Sequence, residues 1–310
     1  MDSRTINLYV VTSYKLLFLF FGAIGNVLFI HLTFKRKSLQ TRTSALQCVQ
    51  CVFHIICQVG TMFDGNITLG NQLNREECYQ IIAFYVLFQS AQSVIMVVIV
   101  LDILIFVKFP TFYRNISKSQ YIFVTTFPVI TCSIIITVYG YTATNEDWIP
   151  ACTPGFAFTI EASRIYKLFI LLMSVFVTVI YAVLIRTFYL KGHHENSSSL
   201  KTMKRLQFSV GIFIFTWFFS QIFGLIILQM TEYTAFEASL FAHNSLLTSL
   251  AYSNTFYVTM WRSKEYRKQF YSVWWPKKVQ TSSAIVFHTN FILHKSSTMD
   301  FSASRLNGSY

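Results

Sequence analysis

Seven stretches without Asp, Glu, Lys or Arg dominate the chain: Leu16 to Phe34, Thr43 to Phe63, Cys78 to Leu101, Ser119 to Asn145, Leu168 to Ile185, Leu206 to Thr231 and Ala238 to Trp261. A membrane-spanning helix needs about 20 mostly apolar residues, within a range of about 17 to 25, and each stretch meets or nearly meets that length. Strands of a membrane barrel would show segments of ~10 residues with alternating polarity, and no stretch alternates in that way. The pattern predicts an all-α membrane protein, a bundle of seven transmembrane helices. Val279 to His294 is also uncharged, but Thr281, Ser282, Ser283, His288, Thr289 and Asn290 interrupt its apolar clusters, so it is not a span. The first stretch is too long for the apolar region of a signal peptide and no A-x-A site follows it, so it reads as an uncleaved first helix.

Composition agrees. The 310 residues are 54% hydrophobic and only 12% charged, with a mean hydropathy of +0.48, whereas soluble domains carry about 25% charged residues. A formal charge of +12 invites a nucleic-acid reading, but no basic stretch adjoins a soluble fold. The charge instead sorts by loop. Lys35, Arg36, Lys37 and Arg42 follow the first run, Lys108, Arg114 and Lys118 follow the third, and Lys191, Lys201, Lys204 and Arg205 follow the fifth. The alternate loops are acidic, with Asp64, Glu76 and Glu77 against Arg75, then Glu146 and Asp147, then Glu232 and Glu237. Basic loops stay cytoplasmic, which places the N-terminus outside and the C-terminus inside.

That orientation puts the glycosylation acceptor "NIT" at Asn66 outside, while "NIS" at Asn115 and "NSS" at Asn196 fall inside. Cys48, Cys51, Cys57 and Cys132 lie within spans, where small apolar packing is expected. Cys78 and Cys152 lie at the outer face, where the oxidising side permits a disulfide.

Several short motifs occur in a fixed order. The first run holds Gly25 and Asn26. Cys78 opens the third run and Asp102 follows twenty-four residues later, ~36 Å along a helix. Pro110 and Tyr113 come next, then "FIFTW" at Phe213 to Trp217, then "NTFY" at Asn254 to Tyr257 followed by "WRSKEYRKQF". Over about Leu16 to Trp275 this series resembles the rhodopsin-like G-protein-coupled receptors, and most of all the nematode serpentine chemoreceptors of the Srsx class. The resemblance implies a plasma-membrane receptor and not an enzyme, with an external small-molecule or peptide ligand, a heterotrimeric G protein on the cytoplasmic face and no cofactor. It also implies a Cys78–Cys152 disulfide, and switch or G-protein-facing roles for Asp102, Lys108, Pro110, Tyr113, Asn254 and Tyr257.

The chain departs from the family pattern at five places, one being that the tyrosine of the seventh helix, Tyr257, comes one residue early. Ile103 stands where an arginine follows the inner-end acid, and Phe219 replaces the proline after the tryptophan. Thr255 replaces the proline of the seventh helix, and a sodium-binding aspartate position falls at or near His54. An ionisable residue in lipid is costly, and Asp102 is read as level with the cytoplasmic interface, where that cost is small. There it either pairs with Lys108 or a neighbouring base, or helps to hold the resting arrangement of its helix.

Tyr85, Gln89, Gln92 and Ser93 recur at intervals of three or four, which places them on one helical face turned into the bundle. With Trp217, Gln221, His243 and Asn244, the residues Tyr85 and Gln89 form the candidate ligand site. Interhelical hydrogen bonding is the competing role, and it is favoured for the deeper His54 and Gln92. None of the outer candidates is an ionised carboxylate, so a cationic amine lacks a counter-ion and a neutral or weakly polar ligand is expected.

A neuropeptide-type receptor is the nearest alternative. A transporter would show inverted repeats and broken helices in matching halves, whereas seven spans do not halve. "GHHE" at Gly192 to Glu195 is the one dense cluster of metal-ligand types, and it reads as a solvated loop beside "NSSS". Residues 1–275 form the receptor domain, ending in a short amphipathic eighth helix from Ser263 with Tyr266, Phe270, Val273 and Trp274 on one face. Residues 276–310 are rich in Ser and Thr and read as a disordered cytoplasmic tail.

Overall fold

The structure, a computed structural model, describes residues 3–63, 73–149, 151–192, 211–229 and 235–275. Asn66, His193 to Glu195 and the tail 276–310 lie outside the described residues, and so do the readings made of them. The long helices are α1 (Ser3–Lys35), α2 (Arg42–Phe63), α3 (Arg75–Lys108), α5 (Lys118–Thr142), α6 (Ile160–Gly192), α7 (Gly211–Gln229) and α8 (Ala235–Arg262). Two short helices join them, α4 (Pro110–Asn115) after α3 and α9 (Lys264–Trp274) after α8.

Local chemistry sets the helix boundaries. Asn74 accepts from the Glu77 amide while the Glu77 carboxylate accepts from the Asn74 amide, a capping box that starts α3. Ser117 and Ser263 cap α5 and α9 through the amides of Gln120 and Tyr266. Pro110 opens α4, where its missing N–H costs nothing.

Among the described residues, six of these helices are long and apolar enough to cross a membrane. The seventh, α8, has 28 residues, ~42 Å at helical rise, but is more polar. Its polarity faces inward: Asn244, Ser245, Thr248, Ser249 and Ser253 are all buried. Large apolar side chains lie on the outside instead, among them Phe20, Phe123, Phe127 and Val179, as a lipid solvent requires. Around the bundle α1 packs on α2 and α8, α2 on α3, α6 on α7, and α7 on α8. The middle position belongs to α3, which touches α2, α5 and α6.

Two helices begin more than two turns before their charge-free runs. α1 continues back through Lys15 and α6 through Lys167, and both lysines are buried, at 1% and 6% exposure. In α7 the missing proline at Phe219 does not leave a regular helix, because Ile214–Phe218 forms a π-helical turn that carries Trp217.

Candidate functional site

At the end of the bundle where α3 begins, the segment between α5 and α6 folds down as a lid. Leu73–Asn74 and Trp148–Ile149 pair antiparallel, Leu73 opposite Ile149. The Cys78–Cys152 disulfide fastens the lid to α3 with Cα atoms 5.4 Å apart. Arg75, 8% exposed, adds three contacts: a 2.6 Å salt bridge to Asp147 and hydrogen bonds to Asn145 Oδ1 at 2.8 Å and the Phe156 carbonyl at 3.2 Å. Hydrogen bonds from Asn145 and then Arg75 hold the Asp147 carboxyl below the usual carboxylate range. Phe156 and Phe158 plug inward, Phe156 edge-on to Phe241 at 5.0 Å and Phe158 against Tyr166 at 5.3 Å.

Under this lid lies a small polar cavity, ≈ 360 Å³ counted to its open mouth. Tyr85 and Gln89 of α3, Thr153 to Gly155 of the lid, Lys167 of α6 and Asn244 of α8 line it. Gln89 Oε1 accepts from the Tyr166 hydroxyl at 2.8 Å. Asn244 and Ser220 lock together: the Ser220 hydroxyl donates to Asn244 Oδ1 at 3.0 Å and Asn244 Nδ2 donates to the Ser220 carbonyl at 3.0 Å. Gly155 has to be small here, since a Cβ would lie 2.9 Å from the Phe241 ring.

Three of the six sequence candidates, Tyr85, Gln89 and Asn244, therefore share this cavity, and three do not. Trp217 lies deeper, on a second cavity, with its ring 5.6 Å from Tyr252. Gln221 is buried, its Oε1 without a hydrogen-bond partner among the described residues, and it does not line the cavity. His243 turns outward against α1, with Nε2 2.7 Å from Asn7 Oδ1, because on the α8 helix it falls about 100° away from Asn244. Lys167 was passed over because the charge-free run starts one residue after it.

The second cavity, ≈ 750 Å³ with the open space at its mouth counted, reaches from Trp217 towards the opposite end and gathers His54, Gln92, Asn254 and Thr255. His54 Nδ1 lies 3.3 Å from the Thr255 hydroxyl. Asn26 stands apart, donating to the Tyr252 carbonyl at 3.0 Å. Tyr257 leaves the bundle core and donates to the Phe21 carbonyl of α1 at 2.8 Å.

At the α4 end, Asp102 is fully buried within the protein, at 0% exposure. It does not pair with Lys108, which is exposed and six residues further along the same helix. Its Oδ2 accepts from the Thr43 hydroxyl at 2.5 Å, and the hydroxyls of Tyr113 and Tyr121 lie against the same carboxylate. Burial, and then the Asp102 charge, push the Tyr113 phenol up to about 12, so it stays protonated at neutral pH. Arg42 closes the group: its guanidinium donates to the carbonyls of Tyr113 and Ile116 and lies 4.4 Å from the Tyr113 ring centre and 5.4 Å from that of Tyr121. Pro110 is exposed and serves to start the helix that delivers Tyr113.

A bundle of membrane-crossing helices with a disulfide-fastened lid over a polar cavity at one end, and a buried acid at the other, is the architecture of a serpentine receptor. The family model for serpentine type 7TM GPCR chemoreceptors of the Srsx type matches residues 19–274, and the chain belongs to that family. No curated protein matches the chain.

Proposed function

We propose that the protein is a chemosensory G-protein-coupled receptor of the plasma membrane, with its disulfide end outside and the Asp102 end facing a heterotrimeric G protein. The observation that carries this reading is the lidded cavity, which sits at the opposite end of α3 from the Asp102 group. The sorting of loop charge supports the orientation, since the basic loops lie at the Asp102 end. The lid favours a small external ligand over a peptide, because it is packed onto the bundle, with Phe156 edge-on to Phe241 of the cavity wall. Family membership is the support for G-protein coupling.

An epitope placed before Tyr9 should stain on intact cells, and one after Pro276 only after permeabilisation. In the same cells, a screen of small molecules with a second-messenger readout should give responses that depend on a co-expressed G protein. Reversed staining, or responses that persist without any G protein, would overturn the proposal.

A further inference from the structure

We propose that the notch between the inner ends of α1 and α9 holds one anionic phospholipid, its phosphate received by Lys35 and Arg36. This goes beyond the receptor reading and uses its orientation only to assign the lipid to the cytoplasmic leaflet. The notch is built around Arg36, which follows the last residue of α1 and reaches across to α9. Its Nη2 donates to the Ser272 hydroxyl at 2.8 Å, and that hydroxyl donates onward to the Gln269 carbonyl at 2.8 Å. Its Nε is buried and has no hydrogen-bond partner among the described residues. Lys35 and Lys37 flank it in sequence and are exposed. Lys268, exposed as well, lies one turn before Ser272 on the same side of α9. None of these four bases makes an ion pair among the described residues. The one acid of α9, Glu265, stands two turns before Ser272 and accepts from Gln269 at 2.8 Å. The notch therefore keeps a net positive charge facing the headgroup region, where anionic lipids are attracted to such bases. A guanidinium also matches the geometry of a phosphate better than an ammonium does.

What selects a lipid over a dissolved phosphate is the surface that continues from the notch. On α1, Phe20, Ile24, Val27, His31 and Phe34 recur at intervals of three and four, so they form one stripe, and all of them are exposed. From Phe20 to His31 the stripe runs ~16 Å along the helix. That is about half of a ~30 Å hydrocarbon core, the reach of acyl chains in one leaflet. Its apolar part stops where its polar part begins, at His31 and then Lys35 one turn further on. Trp274 makes the side wall, its ring centre 5.7 Å from that of His31, and an indole suits headgroup depth. Chains lying along Phe20, Ile24 and Val27 would put the phosphate beside Lys35 and Arg36. No cysteine follows Cys152, so the hold that a palmitoyl group would give α9 falls to this lipid.

The test uses the purified full chain in detergent and lipids carrying a fluorophore on one tail: phosphatidylserine, phosphatidylglycerol and the zwitterionic phosphatidylcholine. Binding is read by fluorescence anisotropy, with glycerol 3-phosphate as a soluble competitor. Both anionic lipids should bind roughly tenfold or more tightly than phosphatidylcholine, and glycerol 3-phosphate should compete poorly. Lys35→Gln combined with Arg36→Gln should bring phosphatidylserine down to the phosphatidylcholine level, and Trp274→Ala should weaken it severalfold. Ser272→Asp, a change at an exposed position, should act like that pair by setting a carboxylate beside Arg36. Arg114→Gln with Arg186→Gln removes two exposed bases of α4 and α6 and should leave lipid binding unchanged. Should the Lys35 and Arg36 double variant fail to fold, Ser272→Asp and Trp274→Ala still decide. Equal binding of anionic and zwitterionic lipids, full affinity in Ser272→Asp, or an equal loss in the Arg114 and Arg186 pair would each overturn the assignment. Competition by glycerol 3-phosphate at the concentrations where the lipid binds would overturn it too, by showing a site for soluble phosphate.

Discussion

The Thr43 hydroxyl donates to the Asp102 carboxylate at 2.5 Å, joining the first turn of α2 to the last third of α3. In this chain an isoleucine follows the acid, so the acid has no neighbouring arginine. Its Oδ2 is instead met by the Thr43 hydroxyl of α2, with the Tyr113 and Tyr121 phenols of α4 and α5 close enough to feel its charge and Arg42 lying over both rings. The group ties α4 to the bundle, because Arg42 also holds the Tyr113 and Ile116 carbonyls.

A first prediction follows from what that group restrains. A hydrogen bond to a charged acceptor contributes roughly 1.5–3 kcal/mol, and losing roughly 2 kcal/mol from a resting state shifts a two-state equilibrium by roughly thirty-fold. Thr43→Val and Asp102→Asn are each expected to raise ligand-independent signalling per surface receptor, and the double variant to add little beyond either. Arg42→Gln should do the same by freeing α4. Basal signalling at the wild-type level in all three, at normal surface expression, would show that the group is structural only.

The lid gives a ranked prediction. Asp147 is exposed and its pairing with Arg75 is screened by water, so Asp147→Asn should change ligand affinity and thermal stability little. Arg75→Ala removes a buried side chain that makes three contacts, and should lower the melting temperature clearly more. The Asp147 carboxyl is held below its ordinary range, so its folded pKa is depressed and the pair persists until pH falls through that lowered value. Acidification from pH 7 to 5 should therefore leave lid-dependent binding flat. Equal effects of the two substitutions would refute this ranking.

The disulfide closes a separation of 74 residues. In the chain-entropy view a loop of that length is worth about 4 kcal/mol, large against ordinary folding stability. Cys78→Ser and Cys152→Ser should each retain the protein inside the cell, with the double variant no worse than either single one. Peptide mapping that recovers both thiols free from surface-expressed protein would contradict the bond.

Much of this was legible in the sequence, and the failures share a cause. Runs without charge locate helices well, since lipid excludes unpaired charge, and the motif order brought Tyr85, Gln89 and Asn244 to one cavity. The same rule hid Lys15 and Lys167, because a scan that stops at every charge stops one residue short of a charge that helix packing buries. The hydrogen-bond partner of Asp102 was not legible either, since Thr43 lies 59 residues away in sequence, beyond any local pattern. His243 and Asn244 are adjacent in sequence and point to different neighbours, a distinction that needs the helix rotation and not the residue type. The π-turn at Ile214–Phe218 has no proline or glycine to announce it.

The short helix α9 supports a last prediction, in which its two halves behave differently. Tyr266, Phe270, Val273 and Trp274 share one face of this amphipathic helix, and the first two are docked on protein. Tyr266 is 5% exposed, stacks on Phe29 at 5.5 Å and donates to the Phe29 carbonyl at 3.4 Å. Phe270 packs on Phe256 at 5.6 Å, and Arg267 donates to the Met260 carbonyl at 2.8 Å. Trp274 rests against His31 of α1 at 5.7 Å and is 45% exposed, whereas Trp275 is 68% exposed, and indoles favour the headgroup region. No cysteine follows Cys152, so a palmitoyl anchor is not available to this helix. Tyr266→Ala should thus cost roughly 3–5 kcal/mol, as truncation of a buried aromatic does, and lower stability in detergent and bilayer alike. Trp274→Ala with Trp275→Ala should leave the detergent melting temperature nearly unchanged and loosen the helix end only in a bilayer. Spin labels on Trp275→Cys and Lys264→Cys, made in a Cys132→Ala background because Cys132 is the exposed free thiol among the described residues, would measure this. The Trp275 label should meet oxygen more than a water-soluble nickel chelate and the Lys264 label the reverse; equal profiles at the two sites would show that α9 does not rest on the membrane.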